Sequence, residues 1–274
     1  MTISSFINRA AKQSHAVIAT IILVVFSQSA FAEQTVLTVT TGDSAKKTYS
    51  VTFNGSPRVS QVVEQGRSLV TKNGRNMLAH STDVIYWQGA GLFNNVLSDD
   101  TSALYDGVTR QLSALTEHWQ GDDEKRAAVQ SLSDFLAAST FKNRIDVELD
   151  HDFYLAGSKV NPLVNGDLML LLPPRPNHVW VIGAVAQSTD ADFSPSRATD
   201  DYLTPLDTLN LFGINNVSVV QPDGVLETHK VAYWNEVPKN VAPGAIIFVP
   251  YQGLPSALKS LNGDIPRLLQ HRVM

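Results

Sequence analysis

Two parts of the chain share a pattern of a turn, a short apolar run and a proline. A Pro-Gly turn precedes the apolar residues 245–249, and Pro250 follows them. An Asn-Gly-Asp turn likewise precedes the apolar residues 168–172, and Pro173 follows them. Apolar runs this short, with turn residues at both ends, are typical of buried strands rather than helices. Because the two prolines are 77 positions apart, we expect two related modules in tandem.

The first module begins with an alternating pattern. Residues 35–41 and 47–53 alternate apolar and polar positions on either side of a Gly-Asp turn, which predicts a β-hairpin with one buried face. Residues 56–66 then place three valines at helical spacing, and this pattern predicts a short helix that ends at Gly66. Two strands followed by a short helix and further strand are the opening of a β-grasp module.

The hydrophobic period changes between residues 99 and 143, where apolar residues recur every three or four positions. This period is typical of amphipathic helices, and a Gly-Asp-Asp turn at residues 121–123 divides it into two. We therefore predict an antiparallel helical hairpin, at about residues 97–143, inserted into the first module. The proline-rich residues 173–176 form a stiff junction, which predicts a domain boundary there.

Beyond this junction the pattern predicts a second compact α+β module. Residues 178–185 have the composition of a strand, and residues 217–220 and 225–231 that of a hairpin around a Pro-Asp-Gly turn. Apolar residues at helical spacing then predict an amphipathic helix within residues 254–274. We expect this helix to dock on the body of the protein rather than enter a membrane, because its apolar face is narrow and it has few basic residues.

The first 32 residues have the pattern of a secretory signal peptide. Arg9 and Lys12 precede an apolar run at residues 16–26, and a small-residue cleavage pattern ends at Ala32. The apolar run is too short to span a bilayer comfortably. Cleavage after Ala32 would leave 242 residues, with no later segment of membrane-spanning length. The sequence therefore predicts an exported, periplasmic protein.

Composition excludes several classes of function. Removal of the signal peptide changes the formal net charge from −5 to −7, and there is no long Lys/Arg cluster, so nucleic acid is not an expected partner. The chain has no cysteine, which rules out disulfides, thiol nucleophiles and thiolate metal sites. No GxSxG, HExxH, Walker or dinucleotide-binding motif occurs, and the seven histidines are scattered. We assign no catalytic residue, metal or cofactor.

The densest acidic cluster consists of Asp146, Glu148 and Asp150. On a strand these three side chains would share one face, because side chains alternate in direction. Paired carboxylates of this kind serve as acid and base or nucleophile in the cleavage of sugar polymers. They are equally typical of the solvated face of a half-buried strand. The sequence leaves both interpretations open.

Arg144 comes directly before the acidic cluster, where the second inserted helix gives way to the next strand. A guanidinium there could bind a carboxylate or sugar hydroxyls through its planar fork, or could cap the end of the helix.

Aromatic residues are the other candidates for sugar binding. Trp87, Trp180 and the pair Tyr233 and Trp234, with the adjacent amide of Asn235, could stack on sugar rings or belong to the core. Successive side chains of a strand alternate in direction, so Tyr233 and Trp234 cannot both be buried by one face of a sheet.

The last hundred residues resemble the GfcC/YjbG family of capsule and exopolysaccharide proteins. The resemblance rests on Asp223-Gly224, on VAYWN at residues 231–235 and on PGAIIFV at residues 243–249. It implies an α+β fold made of two tandem β-grasp (ubiquitin-like) domains, with a helical hairpin inserted in the first and a C-terminal amphipathic helix. It also implies a deep cavity containing an arginine, and Arg144 lies in the matching place, although Asn143 precedes it where the family pattern has glycine.

The expected organisation combines these patterns. It consists of a signal peptide at residues 1–32, a first β-grasp domain at 33–174 with its insertion at about 97–143, a second β-grasp domain at 175–253, and an amphipathic helix at 254–274. Similar modules occur in the periplasmic part of outer-membrane polysaccharide export channels, so the resemblance implies a periplasmic role in making or exporting surface polysaccharide.

Three functions remain open at this point. The favoured one is a non-catalytic periplasmic accessory, a monomer that binds surface polysaccharide or the outer-membrane polysaccharide export machinery through its β-grasp surfaces and the cleft near Arg144. The second is a polysaccharide-processing enzyme that uses Asp146, Glu148 or Asp150. The third is a structural adaptor that contacts the export channel through its terminal helix. The absence of catalytic motifs favours the first.

Overall fold

A computed structural model describes residues 34–42, 48–72, 85–155, 160–204, 206, 209, 213–232, 234 and 237–274. The predicted signal peptide lies outside the described residues, and so do Tyr233 and Asn235. Ala32–Met274 is a single unit.

The elements alternate between strands and helices. The strands are β1 (Gln34–Thr40), β2 (Tyr49–Asn54), β3 (Gly91–Asn94), β4 (Thr140–Phe141), β5 (Asn143–Ile145), β6 (Asp167–Leu171), β7 (His178–Gly183), β8 (Thr189–Asp192), β9 (Asn216–Val220), β10 (Leu226–Lys230), β11 (Ile246–Val249) and β12 (Arg272–Val273). The helices are α1 (Val59–Lys72), α2 (Asp99–His118), α3 (Asp123–Ala138), α4 (His151–Leu155), α5 (Thr199–Leu203) and α6 (Leu261–Leu269). The expected α+β class is confirmed.

Two five-stranded mixed sheets have the same strand order. The first sheet runs β2-β1-β6-β3-β5 and the second runs β8-β7-β11-β9-β10. In the first sheet, β1 pairs antiparallel with β2 and parallel with β6. In the second sheet, β7 likewise pairs antiparallel with β8 and parallel with β11. The two similar apolar runs of the sequence are β6 and β11, which occupy the same place in their respective sheets.

Both helices predicted for the insertion are present. They do not pack on the first sheet, although its strands precede and follow them in the sequence. The buried leucines of α2 and α3, such as Leu115 and Leu132, belong to one hydrophobic cluster with Val181 and Phe248 of the second sheet. The first sheet packs instead with α1 in a cluster of its own. The insertion therefore joins the core of the second sheet, since that is where its apolar faces are buried.

The C-terminal amphipathic segment is α6, and its apolar face is covered. Leu261, Ile265 and Leu268 have no exposed surface, and α6 contacts both α2 and β9. The final strand, β12, pairs with β4 at the end of the insertion. Among the helices of the described residues, none has the length and apolar character needed to cross a bilayer.

The first helix differs from the sequence prediction, because it does not end at Gly66. Helix α1 continues through this glycine to Lys72. A Cβ atom at Gly66 would lie 2.3 Å from Cδ2 of Leu170, a fully buried residue of β6. Glycine here permits close packing of helix against sheet rather than ending the helix.

Candidate ligand-binding cleft around Arg144

Strand pairing places Arg144 beside an aromatic ring. In the antiparallel ladder of β3 and β5, Arg144 lies opposite Phe93. The guanidinium carbon is 4.6 Å from the centre of the Phe93 ring, which is fully buried. This distance allows a cation–π interaction.

Backbone oxygens from two other segments hold the guanidinium. Nε of Arg144 donates to the carbonyl of Gln270 at 3.0 Å, directly after α6. Nη2 donates to the carbonyl of Pro222 at 3.3 Å, in the turn between β9 and β10. One side chain of the first sheet therefore connects a turn of the second sheet with the C-terminal segment.

Glycines shape the space around the guanidinium. Gly224 has a φ of +89°, and its carbonyl oxygen accepts a hydrogen bond from the side-chain amide of Gln270 at 2.9 Å. A Cβ at Gly224 would lie 2.6 Å from Cδ of Arg144, and one at Gly91 would lie 3.0 Å from Nη1. Any larger side chain at Gly224 would thus displace the arginine.

The arginine stays charged although it is largely buried. Burial lowers the pKa of Arg144 to about 10, and the negative charge of Asp223 opposes this shift. A pKa of about 10 leaves the guanidinium protonated at neutral pH. Among the described residues, none accepts a hydrogen bond from Nη1, so this nitrogen is available to a ligand.

Arg144 lines a cleft of about 390 Å³, here called the Arg144 cleft. Its walls are formed by Trp87, Gln88, Ala90, Leu92, Arg144, Ile145, Asp146, Val147, Glu148, Leu149, Asp150, Asp223 and Val225. The structure thus brings together five of the residues singled out from the sequence: Arg144, Trp87 and the three carboxylates. Asp223 is a fourth carboxylate, contributed by the second sheet.

The acidic residues do not form the regular strand that the sequence predicted. Strand β5 ends at Ile145, and Asp146–Asp150 is irregular. The reason is local: Oε1 of Glu148 accepts hydrogen bonds from the backbone N–H groups of Leu149 and Asp150, both at 2.9 Å, and bends the chain toward α4. Exposed and buried side chains still differ along this segment as expected: Leu149 is buried, whereas Asp146 and Glu148 are exposed.

Three of the four carboxylates are already engaged. Besides Glu148, Oδ1 of Asp150 accepts from the N–H of Asp152, and Oδ1 of Asp223 accepts from the N–H of Val225, each at 2.9 Å. Asp146 has no hydrogen-bond or ion-pair partner among the described residues. Its carboxylate is the one in the cleft that a ligand could bind at no cost to the local fold.

Polar and aromatic residues also line the Arg144 cleft. Trp87 is half-buried in a short 3₁₀ helix, Trp87–Gly89. The hydroxyl of Tyr86 donates to Oε1 of Gln88 at 3.1 Å, and burial raises the pKa of Tyr86 to about 12. The side-chain amide nitrogen of Gln88 has no acceptor among the described residues, so it is available as a donor. An aromatic ring, an amide donor, a guanidinium and a carboxylate are groups that bind a sugar.

The remaining sequence candidates lie elsewhere. Trp234 is 69% exposed and does not line the cleft. It lies beyond the end of β10 at Lys230 and outside the strands, so the alternation expected for Tyr233 and Trp234 is not tested. Tyr233 and Asn235 lie outside the described residues. Trp180 lies in β7, with its ring 5.1 Å from that of Phe135.

Sequence reasoning missed the partners that hold Arg144. Phe93, Pro222, Gly224 and Gln270 come from three separate segments, and none carries a signal for contact with Arg144. The Asp-Gly pair at residues 223–224 was visible only as a turn. Among the described residues, no group of three or more histidine, aspartate or glutamate side chains is arranged to hold a metal ion.

Two long segments of the chain match the two halves of a described protein family. Residues 32–175 match the family described as capsule biosynthesis GfcC, N-terminal, and residues 187–274 match capsule biosynthesis GfcC C-terminal. The chain belongs to the GfcC family of capsule biosynthesis proteins. The resemblance noted in the sequence is therefore confirmed and extends over both halves of the chain.

One relative of this GfcC family member covers nearly the whole chain. It is the uncharacterized protein YjbG of Escherichia coli strain K12, which is 29% identical over 266 residues. The alignment covers 93% of this chain and 97% of YjbG. The first sheet, the inserted helices and the C-terminal segment that contacts Arg144 fall within the residues matched to the family, whereas β7 lies between the two matches.

Proposed function

We propose that this GfcC family member is a periplasmic accessory protein of capsule or exopolysaccharide biosynthesis or export, and that it binds a neutral stretch of polysaccharide in the Arg144 cleft. Membership of a capsule biosynthesis family supports the pathway. The signal-peptide pattern of residues 1–32 supports export to the periplasm.

The observation that carries the proposal is the combination of groups in the cleft. Arg144, Asp146 and Trp87 line one space of about 390 Å³. This volume lies in the range of pockets that hold small ligands. Sugar hydroxyls both donate and accept, so a guanidinium and a carboxylate suit them together, and an aromatic ring can pack on the apolar face of a sugar.

The charge of the cleft favours a neutral ligand. Four carboxylates line it against a single guanidinium. The electrostatic potentials of neighbouring carboxylates add, so the cleft has a negative potential. This potential would repel an acidic sugar. The negative charge of the whole chain acts in the same direction.

We also propose that the two sheets are the cores of two tandem β-grasp domains. The identical strand order of the sheets, including the parallel pairing of the first and last strands, supports this arrangement. In this arrangement the helical insertion of the first domain packs on the second.

The two alternatives are less well supported. An enzyme would need two carboxylates free to exchange protons or attack, whereas Glu148 and Asp150 bind backbone N–H groups. An adaptor that acts through its terminal helix would need an exposed apolar face, whereas that of α6 is buried in the core.

The proposal is tested by calorimetric titration of residues 33–274 with fragments of the host's own surface polysaccharide. Asp146→Asn is expected to weaken binding about tenfold, the equivalent of one charged hydrogen bond. The matched control is Asp106→Asn, which changes an exposed aspartate of α2 outside the cleft. Equal affinity of the Asp146 variant and the wild type would remove the cleft from the function. Arg144→Ala is a poorer test, because loss of its contacts would disturb the fold.

A further inference from the structure

A second cavity lies beside the connector between the two sheets. It has a volume of about 420 Å³ and is lined by the connector at residues 173–177, by His178 and Trp180 of β7, and by Arg272 and Met274 at the end of the chain. We call it the Arg272 cavity. It shares no lining residue with the Arg144 cleft.

Arg272 is a largely buried cation with little to balance its charge. It pairs with Phe141 in the small sheet of β12 and β4, and its Nε donates to the hydroxyl of Ser139 at 3.1 Å. Its guanidinium carbon lies 5.1 Å from the centre of the Phe135 ring. Among the described residues, no carboxylate forms an ion pair with it and no group accepts from its two terminal nitrogens.

The absence of a partner has an energetic consequence. Burial lowers the pKa of Arg272 to about 10, and no neighbouring charge contributes to the shift. A buried cation without an anion retains a desolvation cost that an anionic ligand would offset. The two free nitrogens of a guanidinium also match the spacing of the two oxygens of a carboxylate.

The rest of the lining has the same sign of charge. Arg175 of the connector is exposed and lies with its guanidinium carbon 5.5 Å from the Phe193 ring, and it forms no ion pair within the described part of the chain. No aspartate or glutamate lines the cavity. This is the reverse of the Arg144 cleft, where four carboxylates surround one arginine.

An aromatic wall completes the site. Trp180 is half-buried and lines the cavity, and the ring of His178 meets it edge to face at 5.8 Å. The Phe135 ring also contacts the indole, with the two ring centres 5.1 Å apart. A rigid indole beside two cations can accept a ring that carries an acid group.

We propose that the Arg272 cavity binds a carboxylate-bearing sugar, with the carboxylate on Arg272 and Arg175 and the sugar ring against Trp180. The choice of a sugar rests on the proposed role in polysaccharide biosynthesis, whereas the choice of an anion rests on the cavity. The cavity gives the protein a site for acidic residues of a polymer that the Arg144 cleft disfavours.

The test is an NMR titration of ¹⁵N-labelled residues 33–274, with any tag at the N-terminus because Met274 lines the cavity. Sodium glucuronate, glucose and sodium acetate are added separately, and the indole N–H signals are followed. Glucuronate is expected to shift the signal of Trp180 but not that of exposed Trp234. Glucose and acetate should bind at least tenfold more weakly, because each lacks one of the two recognised groups.

Variants locate the site. Arg272→Gln is expected to weaken glucuronate binding about tenfold. Arg175→Gln should weaken it several-fold and, since Arg175 is exposed, should leave the fold intact even if the Arg272 variant unfolds. The proposal is overturned if glucuronate binds no better than glucose or acetate, or if neither variant changes its affinity. Asp146→Asn should leave glucuronate binding unchanged, so failure here is distinguishable from failure of the Arg144 cleft.

Discussion

The turn at Gly224 closes over the side chain of Arg144 at a distance that no other residue type permits. A Cβ at position 224 would lie 2.6 Å from Cδ and 2.7 Å from Nε of the arginine. Carbon atoms in contact are normally 3.5 to 4 Å apart. Because Arg144 belongs to the first sheet and Gly224 to a turn of the second, this contact makes the position of the arginine depend on how the sheets dock.

Gly224→Ala is expected to destabilise the protein more than Gly166→Ala. Both glycines have a φ of +89°, so each alanine incurs a backbone cost of about 1 kcal/mol. Gly166 has open space around it, whereas Gly224 contacts Arg144. The overlap should add about 2 kcal/mol to the cost at Gly224. Urea unfolding measures both variants, and equal losses would show that Arg144 does not pack against the turn.

Arg144→Lys should lower the free energy of unfolding by about 2 kcal/mol, since an ammonium lacks the planar fork through which the guanidinium donates to two carbonyls beside Phe93. The carbonyls of Gln270 and Pro222 would then lose their donor. Arg126→Lys is the matched control, because Arg126 is exposed on α3. If both substitutions have the same small effect, the buried hydrogen bonds of Arg144 do not stabilise the fold.

Acidification should destabilise the protein through His271. Its Nδ1 accepts the backbone N–H of Arg144 at 3.3 Å, and burial and the charge of Arg144 lower its pKa below the ordinary 6.5. Below pH 6.5 the unfolded chain takes up a proton that the folded protein resists, so the free energy of unfolding falls until the folded pKa is reached.

The variant His271→Asn isolates this effect. Its stability should fall less than that of the wild type between pH 6.5 and pH 5, whereas the difference between the two proteins should be constant from pH 7 to pH 8. Parallel pH profiles over the whole range would show that His271 does not cause the acid sensitivity.

Two helix glycines should respond to alanine with opposite signs. Gly107→Ala in α2 has open space and should stabilise the protein by about 0.5 kcal/mol, the gain in helix propensity. In Gly66→Ala, the new Cβ in α1 would overlap with Leu170, which has no exposed surface. This overlap should outweigh the gain in helix propensity, so the protein is expected to lose about 1 kcal/mol of stability in total. Thermal unfolding distinguishes them. Stabilisation by both would mean that Leu170 can move aside.

The sequence predicted elements where the pattern is local and regular. The alternation in β1 and β2, the helical period of α2 and α3, and the apolar runs of β6 and β11 need no distant contact to be recognised. The prediction ended the first helix at Gly66 because glycine is a common residue at helix ends. Its position inside α1 is explained only by the closeness of β6, which the local sequence does not indicate. The short strands β3, β5 and β8 have few residues, and their pairing depends on the sheet around them.

The cleft was predictable only in part, for a related reason. Arg144, Asp146, Glu148 and Asp150 are close together in sequence, so their clustering was visible, and Trp87 stood out as an aromatic. The groups that hold Arg144 come from β3, from the turn after β9 and from the end of α6. No property of a single segment indicates that these three segments meet.

The central claim is that polysaccharide binds in the Arg144 cleft, and an NMR titration of the indole signals tests it most directly. Trp87 lines the cleft, whereas Trp234 is exposed outside it. The Trp234 signal is therefore an internal control in both the wild type and the variant. We predict that neutral fragments of the host's surface polysaccharide shift the signal of Trp87, that Trp234 does not respond, and that Asp146→Asn weakens the response about tenfold. An unshifted Trp87 signal at saturating concentrations of these fragments would contradict the account.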